Sequence, residues 1–153
     1  MTPGSAILRG AHLVVQVFDG AHLESFADRL AAECKAAVRY PTRASVLIHL
    51  APTAKAPDAS ARRQYIDFLR DHAERAFGFA FIVEGDGFTM AFQRSVLTGL
   101  NLLAVHDMPT HVTASLDAAL SWFEEQGSPV EDRLRMRAMH AEAISALRRS
   151  ALH

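Results

Sequence analysis

Three short apolar runs lie along the chain, at residues 13–18, 45–50 and 79–83. Each is rich in β-branched or aromatic residues and is followed within two residues by glycine or proline. This combination is typical of buried β-strands. Shorter runs at 7–8 and 111–113 predict two further strands, the first as the edge strand of a hairpin with 13–18.

Between these runs the apolar residues recur at helical spacing, which predicts helices over 22–38, 61–76 and 88–103. The last of these is apolar nearly all round and is expected to be the most buried. Strands that alternate with helices imply an α/β fold, and strands that are continuously apolar imply a sheet covered on both faces. The sequence therefore predicts a mixed, mostly parallel sheet of four to five strands flanked by helices.

The C-terminal part of the chain has the clearest helix boundaries. Ser115 is placed to cap a helix that ends at Gly127. The segment 128–131 (Ser-Pro-Val-Glu) has the residue types of a capping box. It predicts that Ser128 caps a final helix.

One stripe of that final helix is strongly apolar, and it consists of Met136, Met139, Ala143 and Leu147. Because an isolated amphipathic helix is marginal in water, the stripe must be covered. We expect residues 1–127 to form an α/β domain and 128–153 to form a helix that belongs to the same domain or lies in a dimer interface. The homodimer is favoured because closed two-fold assemblies are common.

Composition narrows the range of functions. The 153 residues suit a single domain, and the formal net charge of -1 lacks the basic excess of a dedicated nucleic-acid binder. Cys34 is the single cysteine and cannot form an internal disulfide. The N-terminus lacks the pattern of a secretory signal, and no segment is apolar over the length of a transmembrane helix. These features predict a cytoplasmic protein.

The order of the predicted elements resembles the STAS domain, the fold of anti-sigma-factor antagonists, in its broad SpoIIAA-like sense. Two stretches carry the resemblance. In 15–20 (Val-Gln-Val-Phe-Asp-Gly) a strand ends in an acidic residue and a glycine before a helix, and in 111–123 a short strand precedes a helix with Asp-Ala-Ala and a tryptophan. The first stretch is similar to the segment that leads into the first helix of STAS domains, and the second is similar to the terminal segment of STAS-like bacterial proteins of unknown function. The resemblance covers about residues 6–126. The resemblance implies a non-enzymatic regulatory or protein-interaction module.

Regulatory STAS domains carry a phosphorylatable serine at the start of the second helix, within an Asp-Ser-Ser/Thr-Gly motif. Asp58 and Ser60 are similar to that motif, but its glycine is missing. A phosphate on Ser60 would be stabilised by the unpaired N–H groups of a helix N-terminus. The alternative, in which Ser60 or Asp58 is only a helix cap, is favoured.

A small ligand has candidate contacts in two places. The turn Glu84-Gly85-Asp86-Gly87 follows a strand, and open α/β sheets bind ligands at the carboxyl ends of their strands. Arg94, in the most apolar helix, is expected either to pair with Glu84 or Asp86 or to hold an anionic ligand. These residues support the alternative function, which is binding of a small apolar or anionic molecule as in CRAL-TRIO lipid-binding proteins.

No cofactor and no metal site is predicted. His106, Asp107 and His111 lie in one stretch but lack the spacing of metal ligands. His49, within a buried strand, is interpreted as a hydrogen-bonded structural residue. An enzyme whose catalytic residues meet only in space is the third possibility, and for it the sequence names no catalytic residue.

Overall fold

The computed structural model describes residues 4–18, 44–51, 76–84 and 109–152, with isolated helical residues at 32, 33, 36, 63, 67, 70, 91, 94, 95 and 98. These isolated residues lie in the three segments for which helices are predicted. The strands are β1 (Ser5–Gly10), β2 (Leu13–Phe18), β3 (Ala44–Leu50), β4 (Ala76–Val83) and β5 (Thr110–Thr113), and the helices with described bounds are α1 (Leu116–Glu125) and α2 (Val130–Ala151). No helix in the described part of the chain is long and apolar enough to cross a membrane.

A single five-stranded sheet, in the spatial order β1-β2-β3-β4-β5, organises these elements. β1 is antiparallel to β2, and β2, β3, β4 and β5 run parallel to one another. The predicted α/β fold with a mixed, mostly parallel sheet is therefore confirmed. β1 is longer than the predicted run at 7–8 because all six of its residues pair with β2.

Both faces of the sheet are buried. All six residues of β2 are buried. On one face Leu47 and Ala80 join a core formed with α1 and α2. On the other face Val14, Ile48 and Phe81 are at most 1% exposed. This double coverage explains why the strands of the parallel part read as continuous apolar runs.

The helix α2 packs along β1 and β2 of its own chain. Met136, Ala143 and Leu147, which belong to the stripe that needs cover, are buried in this contact. Near the start of the helix, the buried Asp132 forms a hydrogen bond with His12 in the β1–β2 turn, with 2.7 Å between Oδ2 of Asp132 and Nε2 of His12. The stripe is thus covered within one chain, and the homodimer prediction must rest on a different surface.

The prediction that Ser128 caps α2 is wrong. The helix begins at Val130, after Pro129, and has no side-chain cap. Gly127 has a left-handed φ of 98°, and the amide of Ser128 donates to the carbonyl of Phe123 at 3.0 Å. This is the hydrogen bonding that closes a helix at its C-terminus. The backbone amide of Ser128 therefore completes the end of α1, and its hydroxyl does not cap the next helix.

The helix α1 is capped as predicted and is tied to α2 by ion pairs. The Ser115 hydroxyl accepts a hydrogen bond of 3.1 Å from the third amide of the helix. Arg133 of α2 lies 3.3 Å from a carboxylate oxygen of Glu124, and Arg137 of α2 binds Asp117. The bond from Arg137 lowers the pKa of Asp117. Two of the arginines of α2 are thus engaged by acidic groups of the same domain.

Candidate functional site

Two strand ends and the middle of α2 meet at the carboxyl edge of the parallel sheet. His49 is the second-last residue of β3, Glu84 directly follows β4, and His140 lies midway along α2. The carboxyl edge is where open α/β sheets bind ligands. We call Glu84, His49 and His140 the histidine cluster.

The two imidazoles of the cluster touch each other. Nδ1 of His49 lies 2.6 Å from Nε2 of His140, and their ring planes differ by only 8°. Nε2 of His49 lies 3.2 Å from Oε2 of Glu84, and it makes no well-formed hydrogen bond with any residue that the structure describes. The His49 side chain is 3% exposed, whereas that of Glu84 is 49% exposed. The cluster therefore runs from the buried core to the surface.

The chemistry of neutral imidazole sets the direction of proton donation. A neutral imidazole has one N–H and one lone pair, whereas a carboxylate only accepts. We assign the proton of His49 to Nε2, which faces Glu84, so that its Nδ1 accepts from the Nε2–H of His140. Nδ1 of His140 then carries the remaining lone pair of the two imidazole rings.

Burial keeps both rings uncharged. It lowers the pKa of His49, and the negative charge of Glu84 offsets this only in part. Burial is also the main reason that the pKa of His140 is lowered to about 4, with smaller contributions from His49 and Arg137. At neutral pH the pair therefore acts as a chain of hydrogen-bond donors and acceptors and carries no positive charge.

We expect the free energy of unfolding to fall as the pH drops from about 6.5 towards 4. The pKa of His140 is about 4 in the folded protein, against a model value of 6.5, so in this window the unfolded chain binds more protons. Because the ring is only about half buried, the loss due to His140 should be about 1–2 kcal/mol. Urea unfolding at a series of pH values measures it.

The variant His140→Gln isolates this contribution, because glutamine keeps a polar side chain but does not titrate. Its unfolding free energy should fall less steeply with acid than that of the native sequence. Ala118→Gln, at an exposed position of α1, is the matched control and should keep the native slope. Equal slopes in the native protein and His140→Gln would refute the assignment.

The structure describes only some of the residues of the predicted ligand site. Arg94 donates from Nη1 to the carbonyl of Val83 at 2.9 Å. Val83 is the last residue of β4 and directly precedes Glu84, so this bond holds the guanidinium at the end of β4. The other candidate ligand residues, Gly85, Asp86 and Gly87, lie outside the described residues, as do the candidate phosphosite residues Asp58 and Ser60.

Of the residues weighed as metal ligands, only His111 is described; His106 and Asp107 lie outside the described residues. His111 stacks on Trp122 with 5.3 Å between ring centroids, and burial lowers its pKa. Within the described ranges, no group of three or more histidine, cysteine or acidic side chains could hold a metal ion. His111 is therefore a packing partner of α1.

Sequence reasoning missed the partnership of His49 with His140 and Glu84. One signal was available, because His140 lies four residues after Met136 and three before Ala143, which places it on the buried stripe of α2. A histidine on such a stripe needs a polar partner in the core. The sequence does not identify this partner, since 91 residues separate the two rings.

No protein-family model matches the chain, and no curated protein matches it significantly. The functional argument therefore rests on the fold and on the geometry of the histidine cluster.

Proposed function

We propose that the chain is a non-enzymatic regulatory or protein-interaction module of the STAS-like type. Two observations support this proposal. The element order of an edge strand, a parallel series of strands and a short last strand followed by a helix is the order on which the resemblance rests. In addition, the described core positions of β2, β3 and β4 are filled by packed side chains. A domain packed in this way is suited to act through its surface.

The electrostatics of the histidine cluster argue against general-base catalysis at neutral pH. An efficient general base has a pKa near the working pH. The pKa of His140 is lowered to about 4, so its lone pair is only weakly basic. We therefore interpret the cluster as a hydrogen-bonded support for the carboxyl edge, and an enzyme as the least favoured function.

Binding of a small ligand at the carboxyl edge is the second candidate function. It is favoured by the half-exposed carboxylate of Glu84, which stands at the end of β4 with the buried His49 behind it. A ligand with hydroxyl or amide donors would find an acceptor there. In this alternative Arg94, Gly85, Asp86 and Gly87 would line the same edge.

Native mass spectrometry of the protein isolated gently from its own cells tests the proposal. The expected result is a complex with a different polypeptide in a fixed ratio, with no small molecule released on denaturation. A stoichiometric small molecule would establish the ligand-binding alternative instead, and a chain that carries neither would overturn the proposal. Tandem mass spectrometry of the same sample tests the phosphosite alternative: we expect Ser60, which with Asp58 is interpreted as a helix cap, to carry no phosphate.

A further inference from the structure

The helix α2 has a second apolar stripe, on the side that faces away from the sheet. Val130 and Leu134 are each 70% exposed, and Leu152, just after the helix, is 83% exposed. At about 100° per residue they fall in one sector roughly 80° wide, together with three small exposed residues and, at the edge of the sector near Val130, the exposed Arg148. We call this set the outer stripe, and it consists of Val130, Leu134, Ala138, Ala141, Ser145 and Leu152.

Charged residues line one flank of the outer stripe in a defined order. They are exposed and run acidic, basic, acidic, basic along the helix, as Glu131, Arg135, Glu142 and Arg149. When two copies of a helix pack antiparallel about a two-fold axis, each flank of one copy lies against the same flank of the other copy, and the residue order of the two flanks is reversed. Glu131 then faces Arg149 of the second copy, and Arg135 faces Glu142 of the second copy.

These pairings share one centre. The midpoint between Glu131 and Arg149 and the midpoint between Arg135 and Glu142 both lie close to the midpoint between Ala138 and Ala141. Small side chains at the crossing point allow two helices to approach closely, since the distance between helix axes depends on the side chains at the contact. A single two-fold axis thus pairs the opposite charges and also brings the small side chains to the crossing point.

A parallel arrangement does not fit this charge order. It would bring the charged flank against the opposite flank, which carries Arg137 and Arg148. Arg135 would then approach Arg137, and Arg149 would approach Arg148, at similar heights along the helices. In the antiparallel arrangement this second flank meets itself, and its Arg137 is already bound by Asp117 of the same chain.

We propose that the chain forms an antiparallel two-fold homodimer through the outer stripe of α2. The contact uses the face opposite to the buried Met136 side, so it leaves the domain core intact. A helix of 22 residues is about 33 Å long, and a contact between two such helices lies at the small end of specific interfaces. The dimer is therefore expected to dissociate in the micromolar range.

Sedimentation velocity of the full chain over low to high micromolar concentrations tests the dimer. We expect a reversible monomer–dimer equilibrium, and Leu134→Glu should remain monomeric throughout because it places a charge in the stripe. Far-UV circular dichroism checks that this variant keeps its fold. A full-length protein that is monomeric at every concentration, or a Leu134→Glu variant that dimerises normally, would overturn the proposal.

Charge exchange tests the antiparallel pairing itself. Glu131→Arg and Arg149→Glu should each raise the dissociation constant about tenfold, because each places two pairs of like charges in the dimer. The double variant should restore the native value. Residues 131 and 149 are about 27 Å apart along one helix, so they can restore each other only across the interface.

Two controls accompany the exchange. Both substitutions oppose the helix dipole, so the monomer of the double variant should be no more stable than the monomers of the single variants, even though its dimer is restored. Glu125→Arg, an exposed reversal at the end of α1, should leave the dissociation constant unchanged. A double variant that stays as weak as the single ones would exclude the antiparallel two-fold arrangement.

Discussion

Truncation of the chain after Gly127 is expected to give a protein that does not fold. Without α2, the face of the sheet on which it lies would be open to water, including Leu13, Val15 and Val17, which are 0% exposed in the complete chain. Burial of such apolar surface is the main favourable contribution to folding. The truncated protein should be insoluble or should lack the near-ultraviolet circular dichroism of the full chain.

Two point variants test the same contribution of α2 without removing the helix, one on its buried side and one on its exposed side. Met136→Ala, at a side chain 1% exposed, should lower the free energy of unfolding by about 2–5 kcal/mol. Leu134→Ala, on the outer stripe, should change the stability of the monomer by less than about 0.5 kcal/mol. A soluble truncated chain that unfolds cooperatively would contradict this picture and would make α2 an element added to a finished domain.

The strands could be predicted from local sequence because of how they are buried. A strand covered on both faces requires a continuous apolar run, and the runs at 13–18, 45–50 and 79–83 have that property. The start of β4 could not be predicted in the same way. Ala76 also fits the helical spacing of the preceding segment, and only its pairing with Ala44 of β3 assigns it to a strand.

The helix boundaries show a similar limit. The residue types at 128–131 fit a capping box, but they follow a helix that ends only three residues before Ser128. The backbone amide of Ser128 completes the end of α1 after Gly127 in a left-handed conformation, and α2 begins after Pro129 without a side-chain cap. Local sequence rules describe each helix end separately and do not specify the backbone path between two helices that follow each other this closely.

The candidate site was least accessible to sequence reasoning because it is assembled by packing. The sequence pattern predicts His49 within a buried strand and Glu84 directly after the next strand, and the structure confirms both placements. The two residues lie close together because β3 and β4 pair in parallel. The contribution of His140 depends on the path of α2 across the sheet, which no residue pattern specifies.

Trp122→Ala is expected to lower the free energy of unfolding by about 3 kcal/mol, at the low end for such truncations because the ring is partly exposed. The indole joins three elements. It stacks on His111 of β5, meets the ring of Phe123 edge-on at 5.2 Å between centroids, and lies over the backbone of Gly78 in β4. Urea unfolding measures the loss, and an unchanged midpoint would show that the ring contributes little to packing.

The contact with Gly78 allows a sharper test of the same packing. A Cβ at Gly78 would lie 2.9 Å from Cη2 of Trp122, so Gly78→Ala should cost about 1–3 kcal/mol by itself. In the Trp122→Ala background the ring is gone, and Gly78→Ala should be nearly neutral, which gives a coupling of similar size. Gly10→Ala is the matched control: its Cβ would lie 3.3 Å from Sδ of Met139, a flexible side chain that can move, so it should cost less than about 1 kcal/mol. If Gly78→Ala costs the same with and without the tryptophan, the destabilisation comes from the strand backbone and the ring does not pack against it.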